Sequence, residues 1–592
     1  MILQSLVRYY ETLAEKGKIT GPGWCKEKVS YALELSNDGE LKRVLPVKIE
    51  REKGKKSVWE PQVLVVPERV TRSSGTISNF LCDHSGYFLG VDNKGKPERV
   101  EECFQCAKEK HLGVLRAADS PAANAAKKFF ETWKPEEAME HPALFEELDG
   151  ILAGGNLVFW VEGKYVHDDQ EVMLAWEHYY EKTMEGSEGV CLVTGQKTSV
   201  SRIHRNIKGV PGAQSAGAAL VSFNAPAFES YGKEQSFNAP VGNYAMYAYT
   251  TALNTLLADK KHVTTIGDIT VVYWSEDGST ACQDVFAGSL EPTTDNREIV
   301  DGVFKNLEAG RPIYIPGVEN EISPEQRFYV LGLSPNAARL SVRFFYADRL
   351  GELLQRIKAH YDRMELVGPE TETTVYYGLQ RMLKETVNKK TTDKKPVSHM
   401  AASVYRSILS GGRYPVSFYH AVLGRIRAEQ DDKDQKIYKI TRGRVAIIKA
   451  YLLRNGNEAE EEITMALNEN STNTAYLLGR EFAVLEAVQE EANPGINATI
   501  KDRYFNAACA APASVFPILF KLKNSHIRKM ESRGKQIYYE KILGSLQEKL
   551  EIPEGAQSAY PKRLSLEEQG MFILGYYHQT QKRYEKKTEE KE

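Results

Sequence analysis

A change of hydrophobic period near Asp348 constrains this chain more than any other feature of its sequence. Upstream, short runs rich in Val, Tyr, Phe and Leu recur between turn residues: VSYALEL (29–35), QVLVVPE (62–68), YFLGVD (87–92), LVFWVEG (157–163) and ITVVYW (269–274). Runs of this kind, bounded by Gly, Asn, Asp or Pro, read as strands. The stretch FYVLGLSPNAARLSVRFFYAD (328–348) reads as a hairpin with Ser334-Pro335-Asn336 as its turn. After that turn, Leu340, Val342 and Phe344 alternate with Arg339, Ser341 and Arg343, which puts an apolar row on one face and two arginines on the other. Downstream the spacing becomes helical. Leu350, Leu353, Leu354 and Ile357 fall on one face, as do Val445, Ile448, Tyr451 and Leu452. Leu478, Phe482 and Leu485 repeat the pattern before a stop at Asn493-Pro494-Gly495. The expected fold class is α+β: a mixed N-terminal region with several short strands, followed by an all-helical C-terminal bundle. The expected segments are 1–347 (α+β), 348–464 (helical) and 465–592 (a C-terminal helical bundle).

A chain of 592 residues is too long for one core. Hydrophobic residues at 42% and charged residues at 27% exclude a disordered, collagenous or membrane-embedded protein. Lys and Arg number 77 against 80 Asp and Glu, so any nucleic-acid binding must rest on local patches. Seven cysteines, a sparse and odd number, argue against a disulfide scaffold and for a reducing, cytoplasmic location. Leu3, Leu6, Val7 and Tyr10 give the N-terminus the spacing of an amphipathic helix rather than a targeting segment. The apolar stretch 507–520 is shorter than the ~20 residues of a membrane span and contains Pro512 and Pro517. The polar run NKKTTDKKP (388–396) reads as a surface linker, and the Lys/Glu tail after Tyr584 as a frayed end.

Enzyme motifs are missing. GQKTS (195–199) has Gln196 where a phosphate-binding loop needs glycine before its lysine, and no HExxH, GxSxG or kinase signature occurs. Cys103 and Cys106 form one CxxC pair, with Cys82, His84 and His111 nearby, but a second knuckle is lacking. The alternative is an amphipathic helix starting near Glu101. No metal and no cofactor are expected. An enzyme, whether a metal-dependent nuclease or an RNA-processing endoribonuclease, would have to draw on Asp168 and Asp169 with His167, or on His84 with Asp83.

Four stretches suit a nucleic acid better. LKRVLPVKIEREKGKK (41–56) is strongly basic and includes Lys53, Lys55 and Lys56. Gly189 to Phe228 contains no Asp or Glu at all, yet holds Lys197, Arg202, His204, Arg205 and Lys208, then the glycine-rich KGVPGAQSAG with Gln214. Glycines let backbone N–H groups approach a phosphate, and missing carboxylates leave the cations unpaired. Val515 to Lys541 carries Lys521, Lys523, Arg528, Lys529, Arg533 and Lys535 on predicted helices. Arg69 to Leu81, with Arg69, Arg72, Ser73, Ser74 and Asn79, has the small donors and cations that read a groove. Arg339 and Arg343 add a basic hairpin face. The competing readings are a solvated surface, a protein interface for 189–228, and a plain turn for 69–81.

At this point the sequence resembles a known family. The block GVPGAQSAGAALVSFNAPAFESYGKEQSFNAPVGNYAMYAYTTALN (209–254), with FNAP at 223–226 and 237–240, is similar to the large subunit of the type I-C CRISPR interference complex (Cascade). So are MILQSLVRYY, NFLCDHSGYFLGVD (79–92), FYVLGLSPNAARLSVRFF (328–345), GRVAIIKAYLLR (443–454) and EEQGMFILGYYHQ (567–579). Cys82 stands where the family leads one to expect tryptophan or another bulky residue, a matter of packing. The resemblance implies a non-enzymatic subunit that recognises the PAM beside a DNA target, helps open the duplex, stabilises the displaced strand and recruits a helicase–nuclease. Implied partners are crRNA, target double-stranded DNA and its displaced strand, the CRISPR backbone subunits, the five-prime-handle-binding subunit and a small subunit made from the same gene. Met465, preceded by Glu460 to Glu462, is the expected internal start for that small subunit.

Overall fold

The computed structural model describes residues 1–53, 56–70, 76–183, 186–317, 321–368, 376–390, 398–432, 434–456, 460–552 and 557–584. Most of the predicted linker and the tail after Tyr584 lie outside the described residues. The chain packs as two compact units, one of Met1–Lys208 with Ser215–Thr255 and the other of Gly209–Gln214 with Leu256–Glu592. The segments read from the sequence divide the chain by type of element, whereas these units divide it by packing.

The first unit is organised on the strand Trp24–Leu35, the long apolar run of its sheet. It pairs antiparallel with Lys56–Pro67 and Leu41–Pro46, and parallel with Asn156–Val161. Lys48–Lys53 extends one edge of the sheet, and Cys82–Asp83 pairs on Asn156–Val161. Tyr31, Leu33 and Leu35 point into a core with Phe104, Phe129, Phe130 and Trp176. Strict alternation would put Val29 on the same face as Tyr31. The register slips by one residue between them, so Val29 joins Ala32, Val66, Cys82 and Val158 on the opposite face. Cys82 thus fills a tight all-buried niche among small aliphatic side chains.

The run YFLGVD is not a strand. Ser85–Phe88 is a helical turn, and Gly90 at φ 70° turns the chain away after it. Consecutive apolar residues do not specify strand over turn when all of them are buried, and Tyr87, Phe88 and Leu89 all are. The cysteine pair lies on the helix Pro97–Val114, which starts four residues before the expected Glu101 because Pro97 occupies its first turn. The N-terminal helix Ile2–Glu15 forms as expected and buries Leu6, Val7, Tyr9, Tyr10 and Leu13.

The second unit opens with an antiparallel sheet in the order Val263–Ile266, Ile269–Ser275, Arg327–Asn336, Arg339–Arg349. The hairpin expected at 328–348 is present, but its turn is displaced. Ser334, Pro335 and Asn336 are paired within the strand, and the chain reverses at Ala337 and Ala338, with Ala337 at φ 53°. Turn-favouring residues here end a strand because the partner register runs on to Asn336 and Arg339. A second departure follows from a register shift opposite Gly332 and Leu333, where Arg343 has no direct partner. The shift breaks the expected apolar row: Leu340 and Phe344 are buried, while Val342 is exposed.

After Arg349 the described residues contain helices and a single isolated bridge, Asp432 with Ile437. One hydrophobic cluster runs from Ile266 on the sheet to Tyr577 on the last helix. The predicted faces are all buried, but two helices go further. Arg442–Asn455 and Thr474–Ala492 are buried nearly all round. Several of their buried polar groups bond internally, whereas Arg444 Nη2 and Glu481 Oε1 have no hydrogen-bond partner among the described residues. Arg444 donates to Glu429 Oε2 at 2.6 Å and to the Lys439 carbonyl at 2.9 Å. Glu486 accepts from Tyr576 and Thr499 hydroxyls, both at 2.5 Å. Burial pushes the Glu481 carboxyl up to about 8.

The helices Thr474–Ala492 and Leu566–Tyr584 touch backbone to backbone. A Cβ at Gly479 would lie 1.9 Å from the Phe572 carbonyl oxygen, and one at Gly575 would lie 2.1 Å from the Tyr476 carbonyl oxygen. Neither backbone can yield without separating the helices. Gly479→Ala and Gly575→Ala are therefore expected to lower stability by about 1–3 kcal/mol or more, as overpacking does. Gly544 in the helix Arg533–Glu548 has open space around it. Gly544→Ala is expected to be neutral or to stabilise by up to about 1 kcal/mol through helix propensity. Thermal or urea melts of the three variants check the contrast.

Candidate nucleic-acid interface

The loop after Lys56–Pro67 is held at its base by a set of side-chain bonds. Asn79 is fully buried; its Oδ1 accepts from the Val70 N–H at 2.9 Å, and its own N–H donates to Asp83 Oδ2 at 2.9 Å. Lys110 donates to the Ser78 carbonyl at 2.8 Å. His111 Nε2 accepts from the Leu81 N–H at 2.9 Å, so Nδ1 carries the proton and donates to the Ala107 carbonyl at 2.6 Å. Burial lowers the His111 pKa to about 3, which keeps that tautomer neutral. Asn79, expected near base edges, is thus the clasp that closes the loop. Arg69 lies beside Glu27, 3.3 Å from its Oε2. Arg72, Ser73 and Ser74 lie outside the described residues.

The acid-free stretch 189–228 divides its cations. Arg205, expected to be unpaired, is clamped by Glu68: Nη1 lies 2.5 Å from Oε1, and Nη2 donates to Oε2 at 2.8 Å. The Tyr180 hydroxyl donates to the same Oε2 at 2.6 Å, and the guanidinium lies 4.8 Å from the Tyr247 ring centroid. The absence of nearby carboxylates in sequence did not predict this, because the partner comes from 137 positions away. His204 is buried against the Tyr249 hydroxyl at 2.7 Å, and burial lowers its pKa to about 4. Lys197, Arg202 and Lys208 remain exposed, with Arg202 Nε donating to Gln235 at 2.9 Å. The glycine loop is closed at its root by the mutual Ile207 and Ala218 backbone bonds, both 2.9 Å. Gly209, Gly212 and Gly217 all have φ between 82° and 91°.

In the second unit, a Cβ on Gly212 would lie 3.1 Å from Pro335, so the tip that carries exposed Gln214 sits beside the hairpin of Arg339 and Arg343. Arg343 is held by Ser334 Oγ at 2.5 Å and lies 3.9 Å from Asp268. In the first unit, Lys53 and Lys56 pair across the basic hairpin through their backbones, and Lys55 lies outside the described residues. The strand register adds two cations that the sequence reading passed over. Lys26 stands opposite Val65 and Lys28 opposite Val63, on an exposed face that continues to Trp59. The Lys-Glu-Lys alternation at 26–28 was the available signal.

The C-terminal basic run is partly consumed by structure. Lys523 is buried and donates to Glu540 at 3.0 Å, and Lys535 donates to Glu491 at 2.5 Å. Arg533 donates to Gln536 at 2.9 Å, and Lys529 lies 3.5 Å from Asn493 Oδ1. Lys521 and Arg528 are exposed. Met465 is half exposed, and its carbonyl accepts from the Val367 N–H at 3.0 Å. The candidate enzyme groups have structural duties. Asp169 Oδ1 accepts from Ser120 Oγ at 2.7 Å and from the Glu171 and Val172 N–H groups, capping the helix Gln170–Thr183. His167 is buried, which lowers its pKa to about 4. Asp83 is buried and accepts the Asn79 and His84 N–H groups. Among the described residues, no cluster of His, Cys, Asp and Glu is arranged to hold a metal ion, and no helix is long and apolar enough to cross a membrane.

The family model described as CRISPR-associated protein (Cas_Csd1) matches residues 6–584. The chain belongs to this CRISPR-associated family. No curated protein matches it. Membership agrees with the sequence resemblance along nearly the whole chain. It also bears on Arg205, since a CRISPR-associated protein's arginine invites a nucleic-acid role that the Glu68 clamp argues against. Arg205→Ala and Glu68→Gln are each expected to lower stability, with a coupling of about 1–2 kcal/mol in a double-mutant cycle. The salt dependence of any nucleic-acid binding should stay unchanged in Arg205→Ala, measured by titration across ionic strengths.

Proposed function

We propose that this protein is the non-catalytic large subunit of a type I-C crRNA-guided DNA surveillance complex. It recognises the PAM, helps open the target duplex, stabilises the R-loop and recruits a helicase–nuclease. The observation that carries this reading is the family match across residues 6–584. Target sequence is left to guide pairing, while the protein reads a short motif and holds backbones, a division of labour known from Cas9-type effectors and applied here by analogy. The clasped loop from Arg69 to Asn79 is the PAM reader. A loop whose two ends are fixed by a buried Asn has less freedom to lose on binding, which favours specific contacts. Exposed Lys197, Arg202 and Lys208 serve the phosphates of crRNA or target DNA. The commitment of Asp169, His167 and Asp83 to capping and core packing supports the absence of catalysis by those groups.

Arg72→Ala is expected to weaken binding to PAM-bearing duplex by about 1–3 kcal/mol and to flatten discrimination against other duplexes. Arg202→Ala with Lys208→Ala should instead weaken all duplexes alike and shrink the salt slope by ~0.7–0.9 per charge removed. Competition binding at several salt concentrations separates the two effects. Full discrimination in Arg72→Ala would assign PAM reading to another element.

We further propose that translation from Met465 yields the small subunit, with Lys521 and Arg528 adding charge along the displaced strand. In the full chain this segment shares the core of the preceding helices. Gly570 approaches the Tyr419 hydroxyl, and the Tyr577 hydroxyl donates to the Val367 carbonyl at 2.9 Å. A separate copy must therefore cover that face against another surface. Mass spectrometry of the native gene's products is expected to show a fragment beginning at Met465, lost on Met465→Leu with synonymous recoding upstream. No such fragment from native codons would refute the internal start.

A further inference from the structure

The motif NFLCDHSGYFLGVD leads from the clasped loop into a separate feature of the first unit, a cleft of about 430 Å³. Lys94, Lys96 and Arg99 line it together with His84 and the pair Gly154 and Gly155. Among the described residues, none of these three cations is paired with a carboxylate. Asp92 is the one acidic residue lining the cleft among the described residues, and its Oδ1 is engaged by the Lys94 N–H at 2.9 Å. The glycines leave part of the wall as bare peptide. Gly154 and Gly155 have φ of 115° and 125°, and a Cβ on Gly154 would meet nothing within 4 Å. The His84 side chain is 46% exposed, and its ring centroid lies 5.3 Å from that of buried Tyr87.

Three like charges gathered in a concavity repel one another and focus a positive field, so the natural occupant is an anion. The volume falls within the range of small-molecule sites, large enough for a nucleotide and far too small for a duplex. A partly exposed imidazole backed by an aromatic ring offers a face on which a base can stack, as single-stranded nucleic-acid sites do. Bare peptide at the glycines gives room for a sugar–phosphate to pass close to the backbone.

We propose that this cleft receives one nucleotide unit of a single-stranded nucleic acid, its phosphate held by Lys94, Lys96 and Arg99 and its base stacked on His84. The inference rests on the reading that this chain handles nucleic acid, and it adds a site distinct from the PAM loop. Sequence reading missed it because KGKPER (94–99) is a short run interrupted by Glu98.

The test uses the full-length protein with labelled short oligouridylate and its deoxy counterpart. Lys94→Gln/Lys96→Gln/Arg99→Gln is expected to reduce affinity about tenfold or more and to shrink the salt slope by about 0.7, the value for one phosphate contact on a single strand. His84→Ala is expected to reduce affinity roughly fivefold or more with the slope unchanged, as loss of base stacking does. Thermal melts confirm that these surface variants fold. Stronger effects on RNA assign the occupant to the guide, and stronger effects on DNA assign it to the displaced strand. Unchanged affinity and slope in the triple variant for both probes overturn the proposal. A reduced slope with a silent His84→Ala makes the cleft a phosphate patch only and overturns the nucleotide assignment. The same variants are assayed on PAM-bearing duplex. Retained PAM discrimination alongside unaltered single-strand binding refutes the cleft and leaves the proposed function standing. Wild-type protein that binds neither probe nor duplex refutes both.

Discussion

The second unit depends on two helices meeting with no side chain between them. At Gly479 and Gly575 each helix presents bare backbone to a carbonyl of the other. That approach brings Tyr476 within 2.9 Å of His578 and aligns Tyr576 with Glu486. Phe482, Phe505, Phe572 and Tyr576 then pack edge to face at centroid distances of 5.1 to 6.0 Å. Helix axes usually lie 8–10 Å apart, and glycine is the residue that permits the close end of that range. The GYYHQ and LLGRE runs therefore specify a geometry as well as a composition.

Burying two helices on every side has an electrostatic consequence. Helices with charged residues cannot be fully enclosed unless each charge finds a partner. Arg444, Lys449 and Glu486 meet this condition in different ways. Arg444 is surrounded by carboxylates and carbonyls. Lys449 donates to the Arg363 carbonyl at 3.1 Å, with burial lowering its pKa to about 8. Glu481 has less compensation, and its raised pKa reflects that. Such groups fix which helix faces meet, since a slipped register would strand them.

In the first unit the comparable constraint is the clasp around Asn79 and His111. A buried amide closes a loop that starts on one strand and ends on another, and a neutral buried histidine fixes the chain just beyond it. Phe80 and Phe130 stack on either side of that imidazole at 5.1 and 4.3 Å. The core thus orients the base of the proposed reading loop, coupling hydrophobic packing to the surface where recognition is proposed. The clamp of Arg205 by Glu68 works in the same way on the residue that follows the strand leading into the loop.

The class of fold was legible in the order of residues, because a period of two and a period of 3.6 are local properties of backbone geometry. That order determined the helical faces Leu350–Ile357 and Val445–Leu452, the strands at 29–35 and 269–274, the N-terminal helix, and a strand read at 157–163 that in the structure ends at Val161. It also carried the family, through long strings that no short motif could match. The folded chain settled which cations are paired. Arg205 and Lys535 find carboxylates 137 and 44 positions away, relations no local window of charge contains, while Lys523 pairs with Glu540 inside its own run. It decided that Asn79 is a clasp, since burial depends on what the rest of the chain folds over it. It moved the hairpin turn to Ala337, because pairing across a whole register outweighs the turn preference of three residues. It also gathered Lys94, Lys96 and Arg99 opposite Gly154 and Gly155, joining segments some sixty positions apart whose sequences give no sign of one another.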